Sequence, residues 1–125
     1  MLHGFFSGHY PNTPFIQLDI GWNQGVQQPY FVLDTGFSGE LQVTPTIAKE
    51  LGLEVAGVTK ARIASGQAVD VPTALAVVAM EGVKNVVTVL ISESLPLAGI
   101  ELLTKFGYKV TVDCKYRAVN LEKVS

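Results

Sequence analysis

The chain alternates apolar and polar residues with the period of a β-strand in several short runs, separated by glycine, proline and asparagine. "FIQLDI" sets Ile16, Leu18 and Ile20 against Gln17 and Asp19. "YKVTVDCK" sets Tyr108, Val110, Val112 and Cys114 against Lys109, Thr111, Asp113 and Lys115. Successive strand side chains point to opposite faces, so period two predicts strands buried on one face. "TALAVVAM" and "VVTVLI" are continuously apolar and predict strands buried on both faces. Between "VAGVTKARIAS" and "AVDVP", the small residues Ser65, Gly66 and Gln67 predict a hairpin turn.

Two stretches carry helix signals instead. In "TPTIAKELGL", Thr44 stands at an N-cap position, Pro45 at the first helical position and Gly52 just past the end, which predicts one or two turns. In "PLAGIELLTKFG", Leu102, Leu103 and Phe106 form an apolar stripe that Gly107 terminates. The order is strands, short helix, strands, helix, closing hairpin, without internal repeat or linker. It predicts an all-β, barrel-like fold with one or two short helices, in a single domain over residues 1–125.

Composition narrows the function classes. With 125 residues, 48% of them hydrophobic and 16% charged, the chain has the material for one buried core and is not a disordered segment. A net charge of −2 without a basic cluster argues against a nucleic-acid partner, because phosphate neutralisation needs grouped Lys and Arg. No apolar run approaches the ~18 residues of a membrane span. "MLHGFFSGHY" has no cationic start followed by a long apolar stretch, so no signal peptide and a cytoplasmic location are expected. Cys114 stands alone, and His3 and His9 lack carboxylate or thiol partners at ligand spacing, so neither a metal nor another cofactor is expected.

The candidate chemistry lies at the end of one strand. Tyr30, Phe31, Val32 and Leu33 run into Asp34, followed by Thr35 and Gly36. Such an aspartate can be a plain turn residue, since its side chain can accept from backbone N–H groups two residues on. It can also be a carboxylate delivered to a site. About sixty residues later a second feature appears, the apolar pair Leu97 and Ala98 followed by Gly99 at the start of a helix.

Taken as an ordered set from Phe15 to Leu121, strand, Asp-Thr-Gly, helix, hairpin, apolar-apolar-Gly, helix and strand, the chain resembles the retropepsin-like aspartic proteases. Within them it is most similar to the small prokaryotic proteins whose motif reads Asp-Thr-Gly-Phe. The resemblance implies the retropepsin-like acid-protease barrel, a homodimer and a peptide or protein substrate. Peptide hydrolysis without a covalent intermediate needs a base to activate water and an acid to protonate the amide. Two adjacent carboxylates sharing a proton supply both. One motif per chain implies that two copies bring their Asp34 residues together. Thr35 resembles the family threonine that bonds to the partner's loop, and Gly36 lets its N–H approach the carboxylate. Ala64, Ser65, Gly66 and Gln67 resemble the flap over the substrate, and Leu97, Ala98 and Gly99 the segment beneath the catalytic loop. Phe37, a substrate-side residue by this likeness, stands where retroviral members carry Ala and pepsin-like ones Ser. Ala98 is smaller than the usual aliphatic residue, and Ile100 and Glu101 replace a commoner polar or Met-Asp pair. The competing reading keeps the fold and drops the chemistry, leaving a catalytically silent dimerisation or peptide-binding module. A plain β-barrel without a site is the third.

The remaining reactive residues have simpler readings. Asp19, Asp70 and Asp113 are expected on solvated strand faces, Cys114 as a small buried hydrophobe and Trp22 in a packed loop. Ser38 has no histidine nearby in sequence to serve as its base.

Overall fold

The computed structural model describes residues 1–62 and 65–125. The chain begins with β1 (Leu2–Phe6), β2 (Pro14–Gln17), β3 (Asp19–Trp22), β4 (Gly25–Gln27) and β5 (Tyr30–Leu33). After β6 (Leu41–Val43) come α1 (Pro45–Leu51), β7 (Gly57–Arg62), β8 (Ala68–Met80) and β9 (Val83–Ile91). The two-residue β10 (Leu97–Ala98), α2 (Ile100–Phe106), β11 (Tyr108–Asp113) and β12 (Ala118–Lys123) follow. The strands join in one sheet in the order β11-β12-β1-β2-β5-β10-β6-β9-β8-β3-β4, with β7 paired to β8. The fold is mostly β with two short helices, as the alternation predicts.

Both helices start and stop where their caps dictate. Thr44 accepts a hydrogen bond from the Ile47 N–H at 3.2 Å, and Gly52 closes α1 at φ 72°. Gly107 closes α2 at φ 75°, a left-handed conformation that glycine adopts without the steric cost of a Cβ. Leu51, Leu102, Leu103 and Phe106 then bury the inner stripes of the helices against the sheet. The core on that face includes Ile16, Leu18, Ile20, Phe31, Leu41, Val43, Val78, Val87 and Val89.

Four sequence expectations change. "FIQLDI" is two strands: Leu18 donates its N–H to the Pro29 carbonyl, so the chain leaves β5 at that point and pairs next with β8 and β4. "TALAVVAM" and "VVTVLI" are buried on one face, with Leu75 44% and Val86 53% exposed, because only one side of β8 and β9 meets the core. Cys114 is exposed, since β11 ends at Asp113, whose Oδ1 accepts the N–H groups of Lys115 and Tyr116 and turns the chain. Trp22 ends a strand and packs against the core rather than lying in a loop. One element had no sequence signal: the first residues form β1, inserted between β12 and β2. Gly4 makes that insertion possible, because a Cβ there would strike the Phe15 carbonyl oxygen.

The part of the topology that builds the site is local. β5 and β6 are consecutive, yet they do not pair with each other. β10 lies between them, parallel to β5 (Leu97↔Val32, Ala98↔Leu33) and antiparallel to β6 (Leu97↔Gln42, Ala98↔Leu41). The connection from Asp34 to Glu40 therefore crosses the end of β10, where α2 begins.

Candidate active site

Asp34 extends the β5–β10 ladder by one residue, its N–H donating to the Ala98 carbonyl at 2.9 Å. Strand alternation therefore holds through position 34. Phe31 and Leu33 point into the core, whereas Tyr30, Val32 and Asp34 share the opposite face. The Asp34 Oδ1 accepts the Gly36 N–H at 3.0 Å, and its carbonyl accepts the Phe37 N–H at 3.1 Å. One aspartate thus closes the turn with both its side chain and its backbone. A Cβ on Gly36 would sit 3.3 Å from that same Oδ1, so glycine keeps the approach open. Thr35 and Gly36 are exposed.

The turn is fastened from below by the start of α2. A helix begins with N–H groups that have no partner inside the helix, and the cap residue, Gly99, offers no side chain. The turn carbonyls fill that need: Gly99 N–H donates to Glu40 at 2.9 Å, Ile100 to Phe37 at 3.0 Å and Glu101 to Gly39 at 3.3 Å. Any side chain at position 99 would collide with the Gly39 carbonyl oxygen and would lie 2.7 Å from the Phe37 ring. The Phe37 ring also covers Gly39, whose added Cβ would meet it at 2.6 Å. Leu97, Ala98 and Gly99 lie beneath the Asp34 turn, and Phe37 both lines the cleft above and packs the turn itself.

Glu40 is the residue that sequence reasoning missed. It is only 8% exposed. Its Oε1 accepts the Thr88 N–H of β9 at 3.1 Å. Its Oε2 lies 2.7 Å from the Lys105 Nζ of α2, a charge contact without the alignment of a hydrogen bond. Lys105 also donates to the Val86 carbonyl at 3.0 Å. One carboxylate thus ties the turn, β9 and α2 together. A glutamate directly after Gly39, at the entry to the strand "LQV", is the sequence signal that could have found it.

An open cleft of about 670 Å³ lies beside this turn. Gly36 to Glu40 form one wall, Thr59, Lys60 and Ala61 of β7 another, and Thr88 and Leu90 of β9 the floor, with Glu101 at the edge. The β7–β8 hairpin therefore contributes the stem of β7 to the cleft. Its tip residues Ser65, Gly66 and Gln67 are exposed and outside that lining, with Gly66 at φ 84°. Ala64, expected in the same tip, lies outside the described residues. Lys60 pairs with Asp70 across the hairpin at 2.6 Å, both side chains well exposed.

The other three aspartates have structural partners. Asp19 accepts from Gln28 Nε2 at 2.8 Å, Asp70 pairs with Lys60 and Asp113 closes a turn. Among the described residues no three His, Cys, Asp or Glu side chains converge as a metal-binding set, and no helix is long and apolar enough to cross a membrane.

Comparison with known proteins places the architecture. The structure is similar to a retropepsin-like aspartic protease from Rickettsia conorii, with a TM-score of 0.62 and 15% sequence identity, covering 99% of this chain and 90% of that one. No family model matches the sequence, and no curated protein matches it. The likeness is one of fold: an all-β, retropepsin-like architecture in which Asp34 stands at the end of β5. The narrower similarity to the Asp-Thr-Gly-Phe proteins gains no support from these comparisons.

Proposed function

We propose that this chain is an aspartic endopeptidase that acts as a homodimer and hydrolyses peptide bonds with a water activated by paired Asp34 carboxylates. The observation that carries the reading is the placement of Asp34, on a turn fastened to β10 and α2 and beside an open cleft, within a retropepsin-like fold. Each chain carries one such aspartate. A two-fold contact presents the same patch from both subunits, which suits a shared pair at the axis. One carboxylate takes a proton from water as its oxygen attacks the scissile carbonyl carbon, and the protonated partner gives its proton to the departing nitrogen. Thr35, exposed at the tip of the turn, is available to the partner's loop, and the β7–β8 hairpin covers the substrate.

The test is a digestion of a proteome-derived peptide library by wild type beside Asp34→Asn. Asn keeps an oxygen for the Gly36 N–H and removes only the ionisable group. Cleavage by wild type that disappears in a normally folded Asp34→Asn supports the reading. A wild type that binds peptides and cuts none would identify a silent peptide-binding module instead.

A further inference from the structure

A second concave surface lies on the face of the sheet that carries Asp34, and the turn chemistry does not use it. Phe5 of β1, Phe15 of β2, Tyr30 of β5 and Tyr10 of the β1–β2 loop surround a pocket of about 640 Å³, rimmed by Ser7 and Gln17. The rings are already assembled. Phe5 stacks on Phe15 at 5.8 Å, Tyr30 meets Phe5 edge-on at 5.3 Å, and Tyr10 tilts over Phe15 at 5.9 Å. Phe15 is buried beneath the others, whereas Phe5, Tyr10 and Tyr30 are 37%, 46% and 55% exposed. The core does not need them, because it occupies the opposite face through Ile16 and Phe31.

Strand register connects this pocket to the candidate site. Directly opposed residues share a face, and the pairs run Phe5↔Phe15, Phe15↔Val32, Val32↔Leu97, Leu97↔Gln42 and Gln42↔Leu90. This row starts in the aromatic pocket, passes beside Asp34 and ends at Leu90 in the cleft floor. Tyr30 lies four residues before Asp34 on the same strand face, about 13 Å away at ~3.3 Å per residue. That span matches about four residues of an extended peptide.

We infer that the Phe5–Tyr10–Phe15–Tyr30 pocket is a substrate subsite that takes a large apolar or aromatic side chain about four residues from the scissile bond. The inference rests on the peptidase reading and adds to it the class of sequence preferred. A second copy of this chain fits the pocket less well. With the two-fold axis between the two Asp34 residues, the pocket about 13 Å away does not meet its own copy, and the row of side chains leading from it to Asp34 marks it as part of the substrate path. The perpendicular rings offer an aromatic guest both a face and an edge.

The experiment is the same peptide-library digestion, read by mass spectrometry, for wild type and Tyr30→Ala, with sedimentation velocity on both. Tyr30 is more than half exposed, so its truncation spares the core. The expected result is enrichment of Phe, Tyr, Trp or Leu at the distal position among peptides cut by wild type. Matched peptides with and without that side chain should differ about tenfold in kcat/KM, carried by KM, the scale of one well-buried anchor. Both effects should collapse in Tyr30→Ala. Cleavage without distal enrichment, or enrichment that persists in Tyr30→Ala, overturns the subsite and leaves the peptidase reading standing. A variant that becomes monomeric assigns the pocket to the subunit interface and overturns the subsite as well. No cleavage by wild type at any concentration refutes the peptidase reading itself.

Discussion

Single residues set the geometry of the Asp34 turn, and Gly99 is the least replaceable of them. An added methyl at Gly99 meets the Gly39 carbonyl and the Phe37 carbonyl and ring at once, so backbone as well as side chain must give way. Gly99→Ala is expected to destabilise the protein by about 1–3 kcal/mol, the usual cost of overpacking, measured as a lower urea midpoint with an unchanged slope. A different residue-level device joins Glu81, Met1 and Tyr108. Glu81 accepts from the Met1 amino group at 2.8 Å and from the Tyr108 hydroxyl at 2.8 Å. The bond to the Met1 amino group, then the one to Tyr108, hold the Glu81 carboxyl below its ordinary pKa. Burial first, and then the Glu81 carboxylate, push the Tyr108 hydroxyl up. A carboxyl with a depressed folded-state pKa stabilises the fold fully above the ordinary carboxylate range and loses that contribution as pH falls through the folded value. The melting-temperature gap between wild type and Glu81→Gln should therefore be widest near neutral pH and close on acidification. A gap that stays constant from pH 7 to pH 3 would contradict the pairing.

Elements are where the sequence was most and least legible. Strand alternation and the caps at Thr44, Gly52 and Gly107 were readable because each is a local signal, spaced by backbone geometry alone. The Asp34 turn was readable as a motif, and its likeness to a known fold supplied the placement of Leu97 to Gly99 beneath it. Burial was not readable, since "TALAVVAM" is apolar on both sides and only the tertiary fold decides which side meets the core. Nor was β1, a strand with glycine and histidine at its centre that exists because β12 and β2 supply both edges. Glu40 was missed for the same reason: its partners lie 48 and 65 positions on, at Thr88 and Lys105. Those partners make Glu40 the tie between three elements. Glu40→Ala strands the Thr88 N–H and frees Lys105, and is expected to cost about 1–3 kcal/mol. Glu40→Gln keeps an acceptor for Thr88 and should recover part of that loss in the same thermal melts. Equal stability of both variants and wild type would mean that the tie is not used.

At the scale of the whole molecule, the proposed reaction needs a second chain. Asp34 has no second aspartate within its own chain to work with, because Asp19, Asp70 and Asp113 are each engaged elsewhere. The β7–β8 hairpin stands over one side of the cleft, and its tip glycine at φ 84° permits the backbone there to turn without strain. Gly66→Val places a β-branched side chain at that angle and should lower turnover more than it lowers the melting temperature. Equal turnover would remove the hairpin from the catalytic cycle.

The central claim, that two chains build one site, is tested most directly by mixing subunits. Wild type is combined with increasing amounts of Asp34→Asn under conditions that let subunits exchange, and peptide cleavage is measured per wild-type chain. If each active site needs an Asp34 from both chains, every mixed dimer is inactive, and activity per wild-type chain falls in proportion to the wild-type fraction. Activity per wild-type chain that stays constant as the variant is added would contradict the account.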